Sequence, residues 1–266
     1  MRALTRRSPR ARSLRLIALA ALLGSCTSTS PIRMPDAAKP ASRPATGLVA
    51  LVDAAAPTDD LLLTQFCDGA LISPRVVLTV THCVAGKAAK RIDVLVGAFN
   101  LCRTGPVGGA RRHVTSILTS TDPSRMGLAL LFLSGAVSQA PYTVSDAIGP
   151  YVALGWGSDV PNGPSSCTPR EVRLGSAPNS TCSLAARTAG RAFSAQLELC
   201  LHPNPGMTRN TCTGDSGGPV TGVNQPTVLM ALTDWGPSCA ISAVGIYRRS
   251  SAVQNWIASV VAHSAS

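Results

Sequence analysis

The chain has 266 residues, 45% hydrophobic and 14% charged, with 23 Gly, 20 Pro and few aromatics. Its formal charge of +11 overstates its basic character: the first 25 residues hold six of the 24 Lys and Arg and no acid, leaving 18 basic against 13 acidic residues, a net of +5. Those bases are scattered without interleaved aromatics, which argues against nucleic-acid binding, and the short Val-, Leu- and Ile-rich runs between turn residues read as an all-β fold.

The N-terminus comes first. An Arg-rich start, an apolar stretch from Leu16 to Leu23, and small Gly24 and Ser25 make residues 1–25 an export signal. The apolar stretch is far shorter than the ~20 residues of a membrane-spanning helix. Leu23-Gly24-Ser25-Cys26 resembles a bacterial lipobox, whose cysteine is lipidated and becomes the first residue. Of the nine cysteines, removing Cys26 leaves eight, an even number suited to an oxidising compartment. The expectation is an exported protein of the cell envelope with a lipid anchor at Cys26, secretion being the alternative. Residues 26–45, rich in Ser, Thr, Pro and Ala, read as a flexible tether.

Gly47 to Val52 and Leu61 to Phe66 read as the first two strands. Cys67-Asp68-Gly69 follows, then a strand ending in Thr81-His82-Cys83. Arg91 to Val96 alternates as a half-buried strand. Residues 100–112 form a loop with Cys102, several glycines and no carboxylate. Met126-Gly127-Leu128-Ala129-Leu130-Leu131 is another apolar run. Gly155-Trp156-Gly157, Cys167, Cys182 and Cys200 come next. In Thr211 to Pro219, Thr-Cys-Thr-Gly-Asp-Ser-Gly-Gly-Pro, three glycines crowd one serine. Such a turn can present a hydroxyl while backbone N–H groups converge on one point, as an acyl-transfer nucleophile requires. Thr227 to Leu232 reads as a strand, before Thr233-Asp234-Trp235-Gly236 and Val244-Gly245-Ile246-Tyr247. Val253, Trp256, Ile257, Val260 and Val261 recur at helical spacing behind a Ser250 or Ser251 cap.

Gly214 to Pro219, together with the unit ending in His82-Cys83, resembles the trypsin/chymotrypsin-like serine proteases over about Gly47 to Ala262. The resemblance implies an all-β fold of two antiparallel six-stranded β-barrels with a C-terminal α-helix. The protease domain would fill 46–266, with barrel one about 46–140, barrel two about 141–249 and the helix about 251–264. It implies Ser216 as nucleophile, His82 as general base, and the N–H groups of Gly214 and Ser216 as oxyanion hole. Asn210 would form the base of the specificity pocket, with Trp235, Gly236 and Gly245 lining it. A neutral amide there implies a neutral side chain before the scissile bond. The family pairs Cys67 with Cys83, Cys182 with Cys200 and Cys212 with Cys239. Cys102 and Cys167 are left over, in loops that can be neighbours in this fold, although eight cysteines allow 105 connectivities. His113, His202 and His263 have no such context. The implied partners are protein or peptide substrates acted on by a monomer, with no cofactor and, for want of acidic oxygens at 100–112, no calcium or other metal.

Two departures stand out. The family's triad aspartate belongs where this chain has Gly127, and Asp122 lies five residues upstream. The family residue at the position of Asp234 is serine, beside that aspartate in the fold, so Asp234 is the expected replacement, orienting His82 from a neighbouring strand. Family members also free an Ile-Val-Gly-Gly-type terminus whose amine pairs with the aspartate at Asp215. No such stretch exists here: Lys39 and Arg43 each precede Pro, and only Arg33 before Met34 remains. The alternative to a serine endopeptidase is a weak or inactive homologue acting as a peptide- or protein-binding envelope module.

Overall fold

Short amphipathic strands leave unpaired edges unless a sheet closes on itself, and this chain closes two. The computed structural model describes residues 39–40, 47–57, 61–102, 109–119, 127–207, 209–251 and 254–264. The expected signal segment, Cys26 and Asp122 lie outside them, as does all of the expected tether except Lys39 and Pro40. Those two residues form a short strand, β1 (Lys39–Pro40), paired with Glu171 and Arg170. Proline is tolerated at such an edge because it needs no ladder N–H.

The first barrel contains β2 (Leu48–Asp53), β3 (Gln65–Ser73), β4 (Val76–Val80), β5 (Ile92–Val96), β6 (Ala110–Thr119) and β7 (Leu128–Leu133), closed in the order β2-β3-β4-β7-β6-β5. Leu61–Thr64, expected as part of a strand, is a one-turn helix, α1, and the strand starts at Gln65. Three consecutive leucines carry no period, so a buried strand and a helical turn look alike there; Leu61 is buried while Leu63 faces solvent.

Seven strands complete the second sheet: β8 (Thr143–Val144), β9 (Tyr151–Gly155), β10 (Arg170–Ser176), β11 (Glu198–Pro203), β12 (Pro219–Gly222), β13 (Gln225–Trp235) and β14 (Gly245–Arg249). Six close a barrel through β9-β10-β11-β14-β13-β12, with the β12–β9 pairing sealing the ring. The two-residue β8 runs parallel beside β13.

The other helices are α2 (Thr81–Val84), α3 (Asn179–Thr188) and α4 (Gln254–Ser264). The sequence reading passed over α3 because only Cys182 and Ala186 are buried in it and small residues hide its period. In α4, Trp256 and Ile257 pack into a core shared with first-barrel leucines and valines. Leu154 and Trp156 of the second barrel join Leu48, Ala50 and Val52 of the first. The barrels therefore meet through continuous apolar packing, which holds the cleft between them in a fixed geometry.

All four expected disulfides are present: Cys67–Cys83, Cys102–Cys167, Cys182–Cys200 and Cys212–Cys239. The second joins a loop of each barrel, beside a Leu101 N–H to Cys167 carbonyl bond of 2.8 Å. Four disulfides fit an oxidising compartment. Among the described residues no helix is long and apolar enough to cross a membrane.

Candidate active site

His82 sits on α2, a single turn that needs external support. Thr81 N–H donates to the Gly127 carbonyl at 2.9 Å, and Cys83 is tied to β3 through Cys67. The imidazole is 46% exposed and faces the cleft. The two cysteines and His82 come within metal-binding reach of one another, but both sulfurs are committed to the disulfide.

Asp234 reaches His82 from the opposite barrel. Thr233 pairs with Tyr247 and Trp235 with Ile246, so Asp234 is the extra residue of a β-bulge. A bulge re-aims a side chain out of the normal alternation. Its carboxylate is 6% exposed, with Oδ1 3.4 Å from His82 Nδ1. That is slightly beyond an ideal N–H···O bond, as catalytic bonds often are before substrate arrives.

Burying this carboxylate on a long, open contact alone would be costly. Arg248 on β14 compensates: its Nη2 donates to Asp234 Oδ2 at 2.9 Å and lies 3.0 Å from Glu198 Oε1. Glu198 Oε2 in turn accepts the Ser194 N–H at 2.8 Å. Burial pushes the Glu198 carboxyl above its ordinary range, against the pull of that N–H and of Arg248.

Gly127 lies against Arg248. Its φ is +93°, left-handed territory that favours glycine. A Cβ there would stand 2.8 Å from Arg248 Nε and Nη2. The guanidinium occupies the space beside Gly127, and its charge serves Asp234. Arg248 and Glu198 were not found from sequence; the one available signal was an arginine following the Gly-Ile-Tyr of the pocket strand.

Ser216 lies on the expected turn. Gly214 and Gly217 take φ of +98° and +83°. Gly217 N–H donates to the Thr233 carbonyl at 2.7 Å and Gly218 N–H to the Asp215 carbonyl at 2.9 Å. The N–H groups of Gly214 and Ser216 donate to no protein acceptor among the described residues, so both stay open to a ligand.

The cleft between the barrels measures about 760 Å³, and His82, Gly214, Ser216, Asp234, Trp235 and Gly236 line it. Lys87 and Arg191 are its cations and Asp234 is its one acid among the described residues. Asn210 is buried behind this surface with its amide engaged: Nδ2 donates to the Ala243 carbonyl at 2.8 Å, and Oδ1 accepts from Thr211 N–H at 2.9 Å and Tyr247 O–H at 3.0 Å. Gly245 is packed against Tyr247, where a Cβ would lie 2.7 Å from the ring. Trp235 and Gly236 thus border the open cleft, and Asn210 and Gly245 form the layer behind.

A second His–Asp pair is built differently. His113 Nδ1 lies 2.5 Å from Asp93 Oδ1, and Arg111 Nε lies 2.6 Å from Oδ2. Both partners of Asp93 project from β6 on the first barrel, away from the cleft lining.

The Trypsin family model matches residues 32–257. Trypsin, alkaline A, of Manduca sexta is 28% identical over 205 residues, covering 73% of this chain and 78% of the relative. Trypsin CFT-1 of Choristoneura fumiferana is 26% identical over 206 residues, with the same coverage of each. The solved structure of human heparin binding protein matches with a TM-score of 0.65 over 84% of this chain and 95% of that one, at 22% identity, a likeness of fold.

Proposed function

The chain belongs to the trypsin family, and from that premise we propose that it is a serine endopeptidase whose triad carboxylate has moved to Asp234. The observation that carries this reading is the buried Asp234 carboxylate 3.4 Å from His82 Nδ1, at a cleft that Ser216 also lines. Ser216 Oγ attacks the peptide carbonyl while His82 takes its proton and later returns it to the leaving amine. Asp234 fixes the imidazole with Nδ1–H toward the carboxylate and stabilises the imidazolium. A triad is defined by geometry and role, so the acid's place in the chain is free. The open N–H groups of Gly214 and Ser216 receive the oxyanion.

The substrate side chain before the scissile bond is neutral in this reading. The cleft carries Lys87 and Arg191, and the base residue Asn210 contributes a neutral amide already bonded within the protein. A cationic side chain finds no acid there beyond Asp234, which His82 and Arg248 already share. We also assign residues 1–25 to an export signal and Cys26 to a lipid anchor; palmitate labelling lost in Cys26→Ser is the expected result.

A fluorophosphonate probe tests the chemistry directly. It is expected to label the wild type and to leave Ser216→Ala unlabelled. A folded wild type that takes up no probe would point instead to a peptide-binding homologue, and cleavage chiefly after Lys or Arg in a peptide library would overturn the neutral preference.

A further inference from the structure

Two more carboxyl groups lie buried behind the serine turn, and the mechanism above gives neither a role. Asp215 turns its side chain inward, where Oδ1 accepts the Gly157 N–H and Oδ2 the Cys212 N–H, both at 2.8 Å. Asp68 on β3 is fully buried, its Oδ2 accepting the Trp156 N–H at 3.0 Å and its Oδ1 the Gln65 Nε2–H at 2.9 Å. The two converge beside Gly155, where a Cβ would collide with Asp215 Oδ1 and Asp68 Oδ2 at once.

Among the described residues neither acid has a Lys, Arg or His partner. Arg170 of β10 and Arg209 border a small cavity with Asp215, but both pair with Asp159. The Tyr247 hydroxyl, facing Asp215 from β14, is engaged by Thr211 and Asn210. Burial pushes Asp215 up to about 6. Burial, and then the charge of Asp215, pushes Asp68 well above the carboxylate range. Two adjacent buried carboxyls without a cation are expected to hold one proton between them.

Both residues that flank Asp215 are gripped from this cluster. Gln65 Nε2 donates to the Gly214 carbonyl at 3.0 Å as well as to Asp68, and Gln65 Oε1 accepts the Ser165 hydroxyl at 2.5 Å. Asp68 N–H donates to the Ser216 carbonyl at 2.7 Å. Gly214 and Ser216 both line the cleft.

We propose that Gln65 and Asp68 are positioning residues for the oxyanion hole: a proton shared by Asp68 and Asp215, with Gln65 fastened to Gly214, holds the serine turn without a freed amino terminus. Family members need a cation at Asp215 because its charge is otherwise alone. Here a second carboxyl, protonated, takes that place from β3 and needs no cleavage of the chain.

The sign of the pH effect follows from the raised Asp68. Its stabilising contribution is complete below the ordinary carboxylate range and is lost as pH rises through the raised folded value. Melting temperature against pH in Ser216→Ala, where no proteolysis interferes, reads this without catalysis. It is expected to fall as pH rises above the ordinary carboxylate value of 3.8, and adding Asp68→Asn, which offers a permanent N–H in place of the proton, is expected to remove most of the fall. Superimposable slopes would overturn the shared proton. Should Asp68→Asn not fold, Asp215→Asn removes the same repulsion and must flatten the same slope. In the active chain Gln65→Met is expected to lower kcat by about 10- to 100-fold, within the range of a displaced oxyanion donor, with KM little changed; an unchanged kcat overturns the role of Gln65. The kinetic arm rests on the protease reading: absence of probe labelling sinks that reading, while the melting slopes still decide the acid pair.

Discussion

The turn carrying Ser216 stands between two buried acid clusters that deal with their charge in opposite ways. On the cleft side, Asp234 lies between His82 and Arg248, with Glu198 on the far side of the same guanidinium. On the inner side, Asp215 and Asp68 converge beside Gly155 with backbone N–H groups and an amide around them and, among the described residues, no cationic partner. A buried carboxylate needs a counter-charge or a proton, and this molecule uses both remedies within one site. The cationic remedy sets the Arg248 guanidinium against the carboxylate that faces His82. The protonated remedy leaves one charge on two carboxyls, met by the N–H groups around them, and gives a rigid anchor. The difference teaches that two buried acid clusters a few residues apart can meet the cost of burial by separate local means.

The largest expected effect breaks the first cluster at its catalytic end. Asp234→Asn keeps the size of the side chain but can present an N–H to His82 Nδ1 and favour the wrong tautomer. Loss of the triad acid costs about 10⁴-fold in turnover where a triad operates, and a loss of that order is expected here in kcat on a peptide ester, with an unchanged melting temperature to within a few degrees. A near-normal kcat would show that Asp234 is not the triad acid.

Next in size is Arg248→Leu, which strikes the same cluster from behind. It leaves Asp234 and Glu198 facing each other without their shared cation. Removing one partner of a buried pair typically costs about 3–5 kcal/mol, and denaturant unfolding is expected to show a loss in that range. The inner cluster predicts the contrast: Asp68→Asn removes a repulsion and should cost much less at pH 8. Equal losses would mean that the two clusters are not neutralised in different ways.

How much of this could be read from sequence follows the range of the interactions. The serine turn and His82-Cys83 are local motifs, and the resemblance they carry implied the fold and three of the disulfide pairs. Asp234 was legible as an acid standing where the resemblance expects serine, coincident with the loss at Gly127. Arg248 and Glu198 were not, because nothing near either residue announces a partner; they meet Asp234 only through the β11–β14 and β13–β14 pairings. Asp68 was the missed signal of the same kind as Asp234. It follows Cys67 in a largely apolar strand, where an acid asks for a partner. Gln65 lay hidden in a run taken for plain strand, and α3 in a stretch of small residues without visible period.

The smallest expected effect separates the structural from the catalytic end of the cationic cluster. Glu198 and Asp234 meet on the same Arg248 guanidinium, so Glu198→Gln leaves it wholly to Asp234. The carboxamide oxygen can still accept the Ser194 N–H, and turnover is expected to change by less than about threefold, or about 0.6 kcal/mol. The pH dependence moves instead. Burial raises Glu198 above its ordinary value of 4.5, so its contribution to stability is complete below that value and is lost as pH climbs through the raised one. The wild-type melting temperature should therefore decline slightly between pH 4.5 and neutrality, and Glu198→Gln should flatten that decline. If the substitution cut turnover as deeply as Asp234→Asn, the division between a catalytic Asp234 and a merely supporting Glu198 would be wrong, and the whole Asp234–Arg248–Glu198 chain would have to be treated as one unit acting on His82.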